Sequence, residues 1–84
     1  MAYTWGFLHD LVREQVDALP FEGALAFMEL MAAAELDPWG VAGADPDGPN
    51  MPNVVFGPHG EGQVSLLILD GPRKVWITQV TWPG

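Results

Sequence analysis

The chain contains no cysteine, which excludes disulfide scaffolds, thiolate zinc sites, iron–sulfur clusters and cysteine nucleophiles together. Basic residues are nearly as scarce. Three Lys and Arg stand against eleven Asp and Glu, a formal net charge of -8 at pH 7. Such a field repels phosphate backbones and anionic headgroups, so nucleic-acid and membrane roles are disfavoured. Long apolar runs are also missing: the longest, Ala24 to Ala34, carries Glu29 and falls far short of the roughly 20 residues that span a bilayer. The stretch Met1-Ala2-Tyr3-Thr4-Trp5 has no basic n-region, and Asp10 interrupts before a signal-peptide core can form. These absences point to a soluble, cytoplasmic protein. What is present is core material. With 49% of its 84 residues hydrophobic, the chain is expected to fold as one domain over 1–84, around a single dense core.

Leu8, Leu11, Val12, Val16 and Leu19 recur at three- and four-residue spacings, with Asp10, Arg13, Glu14 and Asp17 between them, which predicts an amphipathic helix over 7–19. Pro20 ends it. Strong helix formers predict a second helix over 21–36, with Glu22 at its dipole-favoured N-terminus. Phe21, Leu25, Met28 and Met31 form one apolar stripe of that helix, and Phe27, Leu30 and Ala34 widen it. More apolar surface results than a small domain covers, which calls for a partner or a second copy. Asp37-Pro38-Trp39-Gly40 stops the helix, and 37–52 reads as a loop rich in Gly, Pro, Asp and Asn. The period then changes to two, predicting strands over 53–57, 63–70 and 74–82, with Tyr3 to Phe7 available as a further edge strand.

The expected fold class is therefore α+β: two antiparallel helices packed on one face of a three- to four-stranded antiparallel sheet. In the last strand, simple alternation places Val75 and Ile77 on one side and Trp76, Val80 and Trp82 on the other. Both sheet faces are then apolar, and helices cover only one. Phe27, Leu30, Leu67, Leu69, Trp76, Val80 and Trp82 are accordingly the expected partner-binding residues.

The order strand, helix, Leu-Pro, helix, Asp-Pro, loop and meander resembles the RelE/ParE superfamily of small bacterial toxins. The matching residues are Tyr3-Thr4-Trp5, Ala18-Leu19-Pro20 and Leu36-Asp37-Pro38-Trp39, followed by Phe56-Gly57-Pro58-His59-Gly60-Glu61-Gly62, Val64-Ser65-Leu66-Leu67-Ile68 and Arg73-Lys74-Val75-Trp76-Ile77. This resemblance implies a toxin-like component of a toxin–antitoxin module, paired with an antitoxin, that cuts messenger RNA on the ribosome or inhibits DNA gyrase. Ribonuclease members carry a Lys/Arg set with a Tyr, His or Glu near the chain end. Here only Arg73 and Lys74 follow Arg13, and the chain ends Thr81-Trp82-Pro83-Gly84. Cutting RNA needs cations on the phosphate and an acid/base pair. The balance therefore favours a protein partner, antitoxin or cellular target, over catalysis. An acidic inhibitor or immunity-type protein directed at a basic target is the alternative, and a ribosome-dependent mRNA interferase the second.

No catalytic set stands out; the candidates are His59, Glu61, Arg73 and Lys74. His59 and Glu61 could act as general base and orienting carboxylate, or simply tip an exposed turn. Arg73 and Lys74 could grip a phosphate or a carboxylate, or keep a sheet edge soluble. His9 and Asp10 with His59 and Glu61 would suit a divalent ion only if folding united them. Asp45, Asp47 and Asn50 lack the glutamate that closes a calcium loop. The glycines at 57, 60 and 62 precede a strand, where a nucleotide fingerprint requires a helix. No metal or cofactor is expected. The tryptophans at 5, 39, 76 and 82 read as core or interface packing, since base-stacking platforms sit in electropositive grooves.

Overall fold

A computed structural model describes residues 2–83; Met1 and Gly84, the ends of the expected 1–84 domain, lie outside the described residues. The elements are β1 (Thr4–Phe7), α1 (Asp10–Asp17), α2 (Phe21–Leu36), α3 (Pro38–Ala42), β2 (Asn53–Phe56), β3 (Gly62–Leu69) and β4 (Lys74–Thr81). The strands form one sheet in the order β1-β4-β3-β2. Among the described residues no helix is long and apolar enough to cross a membrane.

The α+β class holds, but the sheet is mixed, not wholly antiparallel. β2–β3 and β3–β4 are antiparallel, whereas β1 runs parallel to β4, pairing Thr4 with Lys74 and Phe7 with Ile77. Tight turns force antiparallel pairing on consecutive strands. Nothing of that kind constrains β1, because the helices and two strands separate it from β4. Phe7 is drawn into this pairing, and Leu8 N–H donates to Ile77 O at 3.0 Å, so α1 begins later than its apolar spacing predicts. The expected loop 37–52 also contains a third helix. The Asp37 side chain accepts from Gly40 N–H at 3.0 Å, Pro38 occupies the first turn, and Gly43 closes the helix in a left-handed conformation. The Asp-Pro step that ends α2 thus also starts α3.

The buried stripe of α2 is Gly23, Phe27, Met31 and Ala34, not the stripe of Phe21, Leu25 and Met28, which face outward. Gly23 selects this orientation. A Cβ there would lie 3.2 Å from the Trp82 ring and would push the indole back by a few tenths of an ångström, so glycine gives the closest approach of ring to helix. The core runs through a line of aromatic contacts. Centroids are 5.9 Å apart for Trp5–Phe27, 6.0 Å for Phe27–Phe56 and 5.6 Å for Phe56–Trp82, within the favourable range for edge-on and tilted pairs. Val64, Leu66, Ile68, Val75 and Ile77 floor this line from the sheet, and Val12 of α1 joins the same core.

β4 departs from simple alternation at one residue. Ser65 pairs with Gln79 and Leu66 with Ile77, leaving Thr78 unpaired in a bulge. Its hydroxyl donates to Ser65 O at 3.2 Å. The extra residue resets the parity, so Val80 returns to the buried side with Val75 and Ile77, and Trp82 also packs inward. The expected grouping of Trp76, Val80 and Trp82 on one face is therefore corrected. Beyond the end of β1, the freed Val80 N–H donates to Gln15 Oε1 of α1 at 2.9 Å.

The bulge makes a specific prediction. Deleting Thr78 leaves Ile77 and Gln79 consecutive, as their partners Leu66 and Ser65 already are, so the inward set survives. Thermal denaturation should show a fall of only a few degrees, corresponding to about 1 kcal/mol. Deleting Trp76 instead reverses the strand's facing upstream of the bulge and should abolish cooperative unfolding.

Candidate protein-binding site

The residues proposed for catalysis do not assemble. In the turn before β3, His59 N–H donates to Glu61 Oε1 at 2.7 Å. Glu61's own backbone N–H, and then that of His59, hold this carboxyl below its ordinary value. Glu61 is thus engaged with the turn backbone. Gly57 completes the turn at φ 106°, where a side chain would be strained and would also meet Trp82. Lys74 pairs with Leu69 at the opposite end of the eight-residue strand β3, and Arg73 precedes it in the turn, about 26 Å away at strand rise. No group of three or more potential metal ligands forms among the described residues, so His9 and Asp10 do not converge with His59 and Glu61. Asn50 is engaged structurally, its side-chain amide donating to Ile68 O at 3.1 Å.

The three basic side chains share one environment. Arg13 lies over Phe7 at 5.3 Å, Arg73 over Tyr3 at 5.5 Å and Lys74 over Trp76 at 4.5 Å, all within cation–π range. Each cation rests on its own ring rather than joining a phosphate-binding cluster.

Asp70 ties the β3–β4 turn to two distant segments. Its Oδ1 accepts from the Tyr3 hydroxyl at 2.6 Å and from the Trp39 indole N–H at 2.8 Å. The Tyr3 bond first, then Trp39 and the nearby Arg73 charge, hold the carboxyl below its ordinary 3.8. The same bond to Asp70 raises the Tyr3 hydroxyl above 10.0. The lowered carboxyl stabilises the fold above the unfolded value, and that contribution disappears as pH falls through the lower folded value. Thermal melts at neutral pH should therefore place Asp70→Asn below the parent, with the gap closing as pH drops below 3.8. A gap of constant size down to pH 2, an end point about two units lower, would show that the charge of Asp70 plays no part.

The expected partner-binding residues divide into three sets. Phe27 is 0% exposed and Val80 is 3% exposed; both serve the chain's own core and offer no surface. Trp82 is half-buried against Gly23 and Phe56. Leu67, Leu69 and Trp76 lie on the sheet face away from the helices, and Leu30 lies in a groove between α2 and β2.

That groove is open to solvent. It encloses about 530 Å³ between Phe21, Leu25, Leu30, Val55 and Pro58, with Glu22 and Glu29 also in its lining. Phe21 is 83% exposed, Leu25 51% and Val55 61%. Beside them runs a free sheet edge. Pro52 O and Asn50 O accept from Leu66 N–H and Ile68 N–H, which continues the alternation of the β2–β3 ladder. Val54 and Phe56 therefore bond inward, while Asn53 and Val55 direct their backbone groups outward. Sequence reasoning missed Phe21, Leu25 and Val55 as surface anchors. The available signal was Gly23, which identifies the opposite side of α2 as the packed one.

Comparison with protein-family models, with curated proteins and with solved structures yields no match to this chain.

Proposed function

We propose that the chain is a protein-binding domain that takes an extended, apolar and basic segment of a partner along the groove between α2 and β2. The observation carrying this reading is the juxtaposition of exposed Phe21 and Leu25 with an unpaired strand edge at Asn53 and Val55. A segment adding to that edge gains main-chain hydrogen bonds, and its alternate side chains enter the apolar groove. Glu22 and Glu29, set in a chain of net charge -8, favour lysine and arginine in the incoming segment and speed its approach.

The toxin-like component implied by the RelE/ParE resemblance is this reading with an antitoxin segment in the groove. An acidic inhibitor of a basic target is the same reading with the target's segment there. An mRNA interferase draws least support, since Arg13, Arg73 and Lys74 all rest on aromatic rings.

Titration of the full chain with ten-residue fluorescent peptides tests the proposal. A peptide alternating valine and lysine should bind at least about tenfold more tightly than one alternating valine and glutamate, and the preference should shrink with added salt. Equal affinity for the two, or binding of neither, removes the reading.

A further inference from the structure

We propose that the sheet face turned away from the helices is a self-association surface, through which two copies of this chain stack. This inference does not rest on the groove, which lies on the helix side of β2. Register builds the surface. Leu67 stands opposite Trp76, and Trp76 opposite Gly6. The carbonyls of Asn50 and Pro52 accept from Ile68 and Leu66, which places Met51 opposite Leu67. An apolar band thus runs from Met51, just before β2, across β3 and β4 to β1. It ends on Gly6, where a Cβ would come within 3.2 Å of the Trp76 ring. Leu69 flanks the band, and Met51 is 61% exposed.

Charge distribution identifies the occupant. The four strands contain no Asp or Glu, although the chain carries eleven; among the described residues these lie in helices, loops and turns. Two molecules of charge -8 repel, and the open sheet face lets them meet without setting carboxylate against carboxylate. Its strand cation, Lys74, is folded back over Trp76 at 4.5 Å. A polyanion would find one engaged lysine there, and a basic partner would find no carboxylate. A second copy brings matching apolar residues and, from Gln63, Ser65, Gln79 and Thr81, amides and hydroxyls that both donate and accept. At about 4.8 Å between strands and 3.3 Å per residue, the face measures about 14 by 26 Å. That buries roughly 700 Å² over the two copies, below the standard size of specific interfaces, so the dimer should be weak and transient.

The ionic-strength dependence has a distinctive sign. Salt screens the repulsion between copies, so self-association should strengthen with salt, whereas binding of a basic peptide in the groove should weaken. Sedimentation equilibrium of the full chain at about 0.05 M and 0.5 M NaCl should show a monomer–dimer equilibrium several-fold tighter at the higher salt. Leu67→Glu should weaken it by about tenfold or more, as should the pair Gln63→Glu and Gln79→Glu, which alters exposed rim side chains and spares the core. The groove pair Phe21→Gln and Leu25→Gln should leave it unchanged. A strict monomer at millimolar concentration in high salt overturns the proposal. So does a dimer unmoved by Gln63→Glu with Gln79→Glu, or one lost with the groove pair. Peptide binding that persists while self-association is absent removes this inference alone.

Discussion

Replacing Phe27 with alanine is expected to lower the free energy of unfolding by about 3–5 kcal/mol. The ring is 0% exposed and stands between Trp5 and Phe56, with centroids 5.9 Å and 6.0 Å away. Removing it opens a void that neither neighbour can fill while still packed against Phe7 or Trp82. At about 0.05–0.15 kcal/mol per residue, the 84-residue chain has roughly 4–13 kcal/mol in total. The loss is therefore a large fraction of the total, and all of it at the low end of that range. Urea denaturation followed by tryptophan fluorescence measures the loss, and Phe21→Ala is the internal control. Phe21 is on the same helix but 83% exposed, and its replacement should stay within about 0.5 kcal/mol. A Phe27→Ala cost below about 1 kcal/mol would mean that the aromatic line is not the centre of the core.

The second large effect concerns binding with the fold intact. Phe21→Gln combined with Leu25→Gln should weaken the valine–lysine peptide by about 30-fold or more, the range of a lost interface anchor, while the melting temperature stays nearly constant. Both side chains are mostly exposed, so little of the fold depends on them, and glutamine preserves helix propensity. Glu22→Gln with Glu29→Gln should act differently, reducing salt sensitivity more than affinity at high salt. Binding unaltered by the first pair would place the peptide elsewhere on the molecule.

Features set by local chemistry were readable in the sequence. Pro20 and Asp37-Pro38 bracket α2, whose observed span Phe21–Leu36 coincides with the expected one. The period-two runs of β3 and β4 fall within a residue of expectation at each end. Features set by tertiary contact were less accessible. Apolar residues encircle α2, so spacing alone cannot decide between Phe21 and Phe27 as the buried aromatic. The decision is made by Trp82 lying on Gly23, a contact between positions far apart in the chain. Alternation assumes an unbroken ladder, and the bulge at Thr78 breaks it. The trace in the sequence is the adjacent polar pair Thr78-Gln79, after which the apolar positions shift from odd to even numbers at Val80 and Trp82. The direction of β1 had no local signal at all. For the groove, the acidic rim was visible as composition, but the placement of the β2 edge beside α2 required the sheet and helix to be assembled.

The pairing of β1 with β4 joins Thr4 to Lys74, and this orders events while the chain is being made on the ribosome. The first strand cannot dock until the last has emerged, some 70 positions later. At about 5–20 residues per second the delay is about 4–14 s. Tyr3, Trp5 and Phe7 lack their strand partner throughout that interval, so nascent chains stalled before β4 should be the species most readily captured by a chaperone, and slower translation should prolong that state.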